Sequence, residues 1–215
     1  GSSLPYLDQL VFRQVAVESE RIEAVRSRDA DFAHTRSALA IERAQDLQLA
    51  VVSRNENNVG VVLFNTLKAP VDDVRVRRAL QLSTSQELLV KSSMGAGAGE
   101  SATQWFAPQS RWWSGLAAEK WPKPDMAQAK ELLAEYVEDA DRSDGRTEGS
   151  MVLVSLQCTD DIHLSAMTRE LARQWEATGF IDVELETVTR NGLIQRVLGS
   201  VTDRPGFSGD FVATC

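Results

Sequence analysis

MVLVSLQCTDDIHLSAMTRELARQWEATGFIDVELETV, Met151 to Val188, is the stretch whose rhythm decides the fold class. Met151 to Gln157 is rich in Val and Leu and reads as a strand. Leu164, Met167, Leu171 and Trp175 then fall at i, i+3, i+7 and i+11, which lays one apolar stripe along a helix. Asp160, Asp161 and His163 stand at its start. They could ligate a metal ion, but acidic acceptors just before a helical stripe more often satisfy its first free N–H groups. Gly179 supplies the stop. Ile181 to Val188 alternates as a second strand, Asn191 to Leu198 reads as a short helix, and Asp210 to Thr214 as a third strand. A strand-helix-strand-helix-strand order implies a mostly parallel sheet with right-handed crossovers, hence an α/β fold.

Upstream of this unit, Val59 to Phe64 is a continuous apolar run and predicts a strand buried on both faces. Lys68-Ala69-Pro70 makes a turn, and Asp72 and Asp73 stand where a helix N-terminus wants acceptors. The helix runs to about Met94, broken at Ser83-Thr84-Ser85, where Ser85 recaps a second piece. Gly95 to Gly99 has the look of a phosphate loop but lacks the Lys and the strand-to-helix setting, so it reads as a flexible turn. Thr103 to Pro124 holds four of the five tryptophans and three prolines, and reads as an irregular loop tied down by Trp105, Trp112, Trp113 and Trp121. Its rings could also stack a ligand. Asp125 caps a helix carrying Ala129, Leu132, Leu133 and Tyr136, and Glu138 to Ser150 is a charged surface connection. At the other end, Leu7 to Val15 and Leu47 to Ser53 have strand character, with helices after Ser19 and over Ala38 to Asp46.

Composition narrows the function. The chain has 215 residues, 43% hydrophobic and 25% charged, with a formal net charge of -8. That balance suits a globular protein with a sizeable core and excludes a nucleic-acid groove, which needs a basic face. The run Arg75, Arg77 and Arg78 is flanked by acids and reads as a solvated helix face. No stretch is long and apolar enough to span a bilayer. Two cysteines and two histidines, without CxxC or HExxH spacing, exclude an ordinary zinc site. No GxSxG elbow supports a hydrolase, so no enzyme chemistry and no cofactor is expected.

Four segments carry a family resemblance. LPYLDQLVFRQVAVESERIEAVRSRDADFA (Leu4 to Ala33) and NVGVVLFNTLKAPVDDVRVRRALQLSTSQELLV (Asn58 to Val90) resemble the family 5 extracellular solute-binding proteins, the dipeptide, oligopeptide and nickel binding proteins of ABC importers. DMAQAKELLAEY (Asp125 to Tyr136) and LSAMTRELARQWEATGFIDVELETV (Leu164 to Val188) are similar to later units of that family. The resemblance covers nearly all of Leu4 to Cys215. Two features depart from it: Thr84-Ser85 stands where the family usually carries Asp-Arg, and the chain stops at Cys215, before an acidic residue that often grips the ligand's amine.

The resemblance implies a periplasmic-binding-protein type II-like lobe, with a mostly parallel sheet flanked by helices, plus a short segment of the other lobe. Residues 4–54 are expected from the first lobe, 55–65 as hinge or crossing strand, and 66–215 as the second lobe, the whole an internal fragment. It implies capture of peptides or similar small solutes outside the cell or in the periplasm, and delivery to ABC permease subunits, the parent being a membrane-anchored lipoprotein. The alternative it leaves open is a sensing module or envelope lipoprotein on the same fold.

Ligands of open α/β sheets gather at the carboxyl ends of strands. Here those ends are Asn65, Gln157, Cys158 and Thr159, and Thr214 with Cys215. Asn65 has an alternative role as a turn residue bonded to nearby backbone. If Asp210 to Thr214 pairs with Met151 to Gln157 on the side away from the second strand, Cys158 and Cys215 meet at one sheet edge. Strand spacing then lies within disulfide reach. Directly paired strand residues give awkward disulfide geometry, however, and two unpaired buried thiols are the favoured reading.

Overall fold

The structure is a computed structural model that describes residues 6–53, 59–94, 99–198, 209 and 211–215. The expected glycine turn after Met94 lies outside them, apart from Gly99, as do most of the start of the hinge and Asp210. Two compact units divide the chain, Gly1–Arg54 and Asn55–Cys215.

The first unit holds two helices, α1 (Glu18–Arg26) and α2 (Ala38–Asp46). Ser37 caps α2, its hydroxyl accepting from Ala40 N–H at 3.3 Å. Ile22, Ala40 and Ala44 form a small buried cluster. Leu7 to Val15 and Leu47 to Ser53, expected as strands, are irregular here. A strand persists by pairing its N–H and C=O groups with a neighbour, and no strand lies among the described residues of this unit. Side chains hold the backbone instead: the Arg21 guanidinium donates to the carbonyls of Val15 (2.6 Å), Ala16 (3.1 Å) and His34 (3.1 Å).

The second unit is a mixed α/β layer. Its elements are β1 (Leu63–Phe64), α3 (Val74–Leu82), α4 (Gln86–Met94), α5 (Gly115–Lys120), α6 (Met126–Val137), β2 (Val152–Thr159), α7 (Ile162–Glu176), β3 (Ile181–Val188), α8 (Arg190–Leu198) and β4 (Ala213–Thr214). The sheet order is β1-β4-β2-β3. β2 is parallel to β3 on one side and to β4 on the other, as the strand rhythm predicts, while β1 closes the edge antiparallel to β4. Only Leu63–Phe64 of the run from Val59 is strand, and it is not buried on both faces, since Leu63 is 44% exposed. An edge strand has one neighbour, so its apolar character reflects packing on one side.

The caps explain where the helices start. Asp73 accepts from Arg75 N–H at 2.7 Å, Asp125 from Gln128 N–H at 3.0 Å, and Asp161 from His163 and Leu164 N–H at 3.0 and 3.1 Å. Asp161 is therefore a cap, and the His163 ring turns away to bond the Ser93 carbonyl at 2.6 Å. Gly179 takes φ +81, the left-handed stop that lacks a Cβ penalty.

The core forms where α3, α6 and α7 meet one face of the sheet: Leu80, Leu133, Tyr136, Leu156, Trp175 and Ile181 are all essentially sealed from water. The break at Ser83-Thr84-Ser85 is a docking point for α7. Trp175 Nε1 donates to Leu80 O (3.1 Å) and Thr84 Oγ1 (3.0 Å), and Ser85 N–H donates to Gln174 Oε1 (2.5 Å). The tryptophan-rich loop departs from expectation. It contains α5, and Trp105, Trp112, Trp113 and Trp121 are 62%, 62%, 39% and 38% exposed rather than packed beneath it.

Candidate functional site

The carboxyl ends of β2 and β4 lie side by side. Gln157 and Thr214 are register partners, and Cys215 N–H donates to Gln157 O at 3.1 Å, so the pairing continues to the last residue. Cys158 and Cys215, one step further, form a disulfide with a Cα separation of 5.3 Å. The expectation of two unpaired thiols is thus corrected. The backbone bond fixes the end of β4 beside β2, and the separation falls inside the range a disulfide spans.

Register partners in a sheet project to the same face, so Gln157 and Thr214 share one. Both are buried, at 6% and 1% exposure, and among the described residues neither Gln157 Oε1 nor Thr214 Oγ1 has a hydrogen-bond partner. Leaving a buried polar atom unpaired costs about 1–3 kcal/mol. Thr159 is buried at the end of the same strand and pairs in register with Val188.

Asn65 is placed differently. Because β1 runs antiparallel, the residue just after it lies beside the start of β4, Asn65 N–H donating to Val212 O at 2.9 Å. Its side chain is already engaged: Nδ2 donates to Gly209 O at 2.8 Å, and Oδ1 accepts from Leu67 N–H at 3.2 Å. The turn role open to it in the sequence is the one its atoms perform. The fold thus brings Gln157, Cys158, Thr159, Thr214 and Cys215 together and sets Asn65 back along the strand.

A cleft of about 330 Å³ opens on the Gln157 face, lined by Ser155, Gln157, Glu186, Arg196, Lys68 and Phe211 among others. Gln157 and Glu186 are register partners on β2 and β3, and Arg196 of α8 donates to Glu186 at 2.7 Å. Lys68, Glu186 and Arg196 escaped the sequence reading. Glu186 carried a usable signal, being polar on an alternating strand, but only the β2–β3 register shows what it faces.

Residues 1–208 match the profile of the family described as bacterial extracellular solute-binding proteins, family 5 middle. The chain belongs to this family. A comparison with curated proteins finds no match. Among solved structures, the chain is similar to the ABC transporter substrate binding protein CtaP from Listeria monocytogenes. TM-score is 0.74 at 14% identity, covering 94% of this chain and 38% of CtaP. It is also similar to NikA from Brucella suis, solved in complex with Fe(III)-EDTA, with TM-score 0.63, 18% identity, and coverage of 93% and 39%. For the oligopeptide-binding protein AppA from Bacillus subtilis, in complex with a nonapeptide, the values are 0.61, 17%, 92% and 38%. At these identities the likeness concerns the fold, and the chain spans about two-fifths of each of these relatives.

Proposed function

We propose that this family 5 chain contributes to the solute-binding component of an ABC importer, capturing a peptide or similar small solute at the carboxyl ends of β2 and β4 for delivery to membrane permease subunits. The observation that carries this reading is the pair of buried, unpartnered oxygens on Gln157 and Thr214, at the strand ends where open α/β sheets receive ligands. A peptide is rich in N–H donors, the group both oxygens lack. Thr159 and the Cys158–Cys215 bond border the same spot, and Asn65 shapes the approach through the turn it holds. In this reading residues 4–54 belong to one lobe, 55–65 to the crossing segment and 66–215 to the second lobe, with a lipid-anchored parent outside the cytoplasm.

The test is a titration of the isotopically labelled chain with di-, tri- and nonapeptides, followed by NMR. Cleft binding draws on contacts from both walls, so the expected affinity of this chain is weaker than micromolar. The expected perturbations are at the amides of Gln157 to Thr159 and Thr214 to Cys215. Perturbation only at α1 and α2, or none at millimolar peptide, would sink the assignment.

A further inference from the structure

The disulfide at the strand ends closes a contact that is unfavourable by itself. Thr214 and Gln157 are buried register partners, and among the described residues Thr214 Oγ1 and Gln157 Oε1 have no hydrogen-bond partner. A buried oxygen without a donor destabilises the arrangement that buries it, and opening to water relieves it. Little backbone pairing opposes that opening. β4 meets β2 through two register pairs, Leu156 with Ala213 and Gln157 with Thr214, and through Cys215 N–H donating to Gln157 O at 3.1 Å. The Cys158–Cys215 bond lies directly beyond the last pair.

The root and the tip of β4 are held differently. Phe211 is buried and Ala213 is sealed in the core with Leu156, so apolar packing keeps the root in place. At the tip, Thr214 buries a hydroxyl and Cys215 is tied by its sulfur. Cys158 is 4% exposed whereas Cys215 is half-buried, so a reductant approaches from the Cys215 side.

We propose that the Cys158–Cys215 bond is a thiol-reversible clamp on the strand-end site. Oxidised, it holds Thr214 against Gln157 and the site binds; reduced by a dithiol, the β4 tip opens and peptide binding weakens while the core of the unit persists. This rests on the reading of the strand ends as the ligand site. In the reduction, one thiolate of the dithiol attacks Cys215 Sγ. The S–S bond breaks, and its electron pair leaves on Cys158 Sγ, which takes a proton. The second thiol then attacks the mixed disulfide and releases Cys215 as a thiol, so the reductant ends as a cyclic disulfide and the protein gains two electrons and two protons. Coupling between the bond and the ligand is reciprocal: a peptide that binds the closed tip shifts the thiol–disulfide equilibrium toward the disulfide.

The test is a tripeptide titration of the isotopically labelled 215-residue chain, followed by NMR with and without dithiothreitol and with free thiols counted. Dithiothreitol is expected to release both thiols without denaturant. Affinity read at the Gln157 and Thr214 amides should then fall about tenfold, the worth of one hydrogen bond to the ligand. The amides of α6 and α7 should keep their shifts, and reoxidation should restore binding. Cys158→Ser/Cys215→Ser is expected to bind as weakly as the reduced chain and to ignore dithiothreitol. In a redox buffer, excess peptide should move the midpoint toward the disulfide. Equal affinity in the two redox states overturns the proposal, as does a bond that resists dithiothreitol in the native state. Loss of the α6 and α7 shifts on reduction also overturns it, since the bond would then hold the whole unit. An oxidised chain that shows no strand-end perturbation with the peptide instead refutes the ligand assignment, and the clamp falls with it.

Discussion

Arg142 is the residue on which most of the surface connection after α6 depends. Its side chain is fully buried, paired with Asp144 at 2.7 Å, and donates to Ser150 O at 2.7 Å. Two guanidinium groups lie over the Tyr136 ring, Arg142 at 5.0 Å and Arg75 at 5.3 Å from its centroid. Burial pushes the Tyr136 hydroxyl above its usual range. Removing one partner of a buried pair strands the other charge, so Arg142→Ala is expected to cost about 3–5 kcal/mol, read as a lower urea midpoint. Arg75 acts nearer the surface. Its hydrogen bonds hold the carboxyls of Asp73 and Asp139 below the ordinary carboxylate range. A depressed carboxylate contributes stability that is present above its unfolded value, near pH 4, and lost as pH falls through the lower folded value. The melting temperature is therefore expected to fall as the pH drops below about 4. Arg75→Ala should flatten that slope and lower stability at neutral pH. An unchanged acid slope in the variant would refute the role given to Arg75.

At the scale of elements, the disulfide does what hydrogen bonding alone does weakly. β4 has two residues, and its last register pair is followed at once by the Cys158–Cys215 bond, which joins positions 57 residues apart. Closing a loop of that length removes denatured-chain entropy equivalent to about 4 kcal/mol. Reduction, or Cys215→Ser, is expected to lower the melting temperature and to speed amide exchange at Ala213 and Thr214 before it affects β2–β3. Equal stability of oxidised and reduced protein would contradict this. The same elements show what was readable in advance. β2, α7 and β3 were legible because each signal is local: alternation, a four-residue stripe, a cap at Asp161, a stop at Gly179. The parallel order followed from the strand-helix-strand rhythm, whereas the side on which β4 pairs was one open possibility that the register decides. Leu7 to Val15 and Leu47 to Ser53 misled because apolar alternation announces a preference for pairing without showing that a partner is at hand. The tryptophan loop misled because large aromatic rings usually mean burial. In the candidate site, Gln157, Thr159 and the cysteines were legible as strand ends, whereas Glu186 and Arg196 needed the register and the fold of α8.

Taken as whole units, the two halves of the chain are unequally built. The unit from Asn55 to Cys215 has a continuous core with Trp175, Tyr136, Leu133 and Leu156 sealed inside, and each fully buried Leu contributes about 1.5–3 kcal/mol. Among its described residues, the unit from Gly1 to Arg54 encloses Ile22, Ala40 and Ala44 alone, while Phe12, Val11 and Val52 are 81%, 73% and 90% exposed. Local opening is cheapest where few apolar contacts must break and backbone bonds already face water. Helices of nine residues, as α1 and α2 both are, are marginal on their own. The two units should therefore not share one cooperative transition. In hydrogen exchange, the amides of α1 and α2 are expected to exchange through low-energy openings that are nearly insensitive to denaturant. Those of β2, α6 and α7 should exchange only through the global unfolding of their own unit. The Arg21 brace gives a control within the first unit. Arg21→Ala releases three carbonyls at once and should abolish the residual protection of α1 and α2 while leaving β2 unaffected. Protection of α1 equal to that of β2, or a loss in β2 on substituting Arg21, would show that the two units unfold as one.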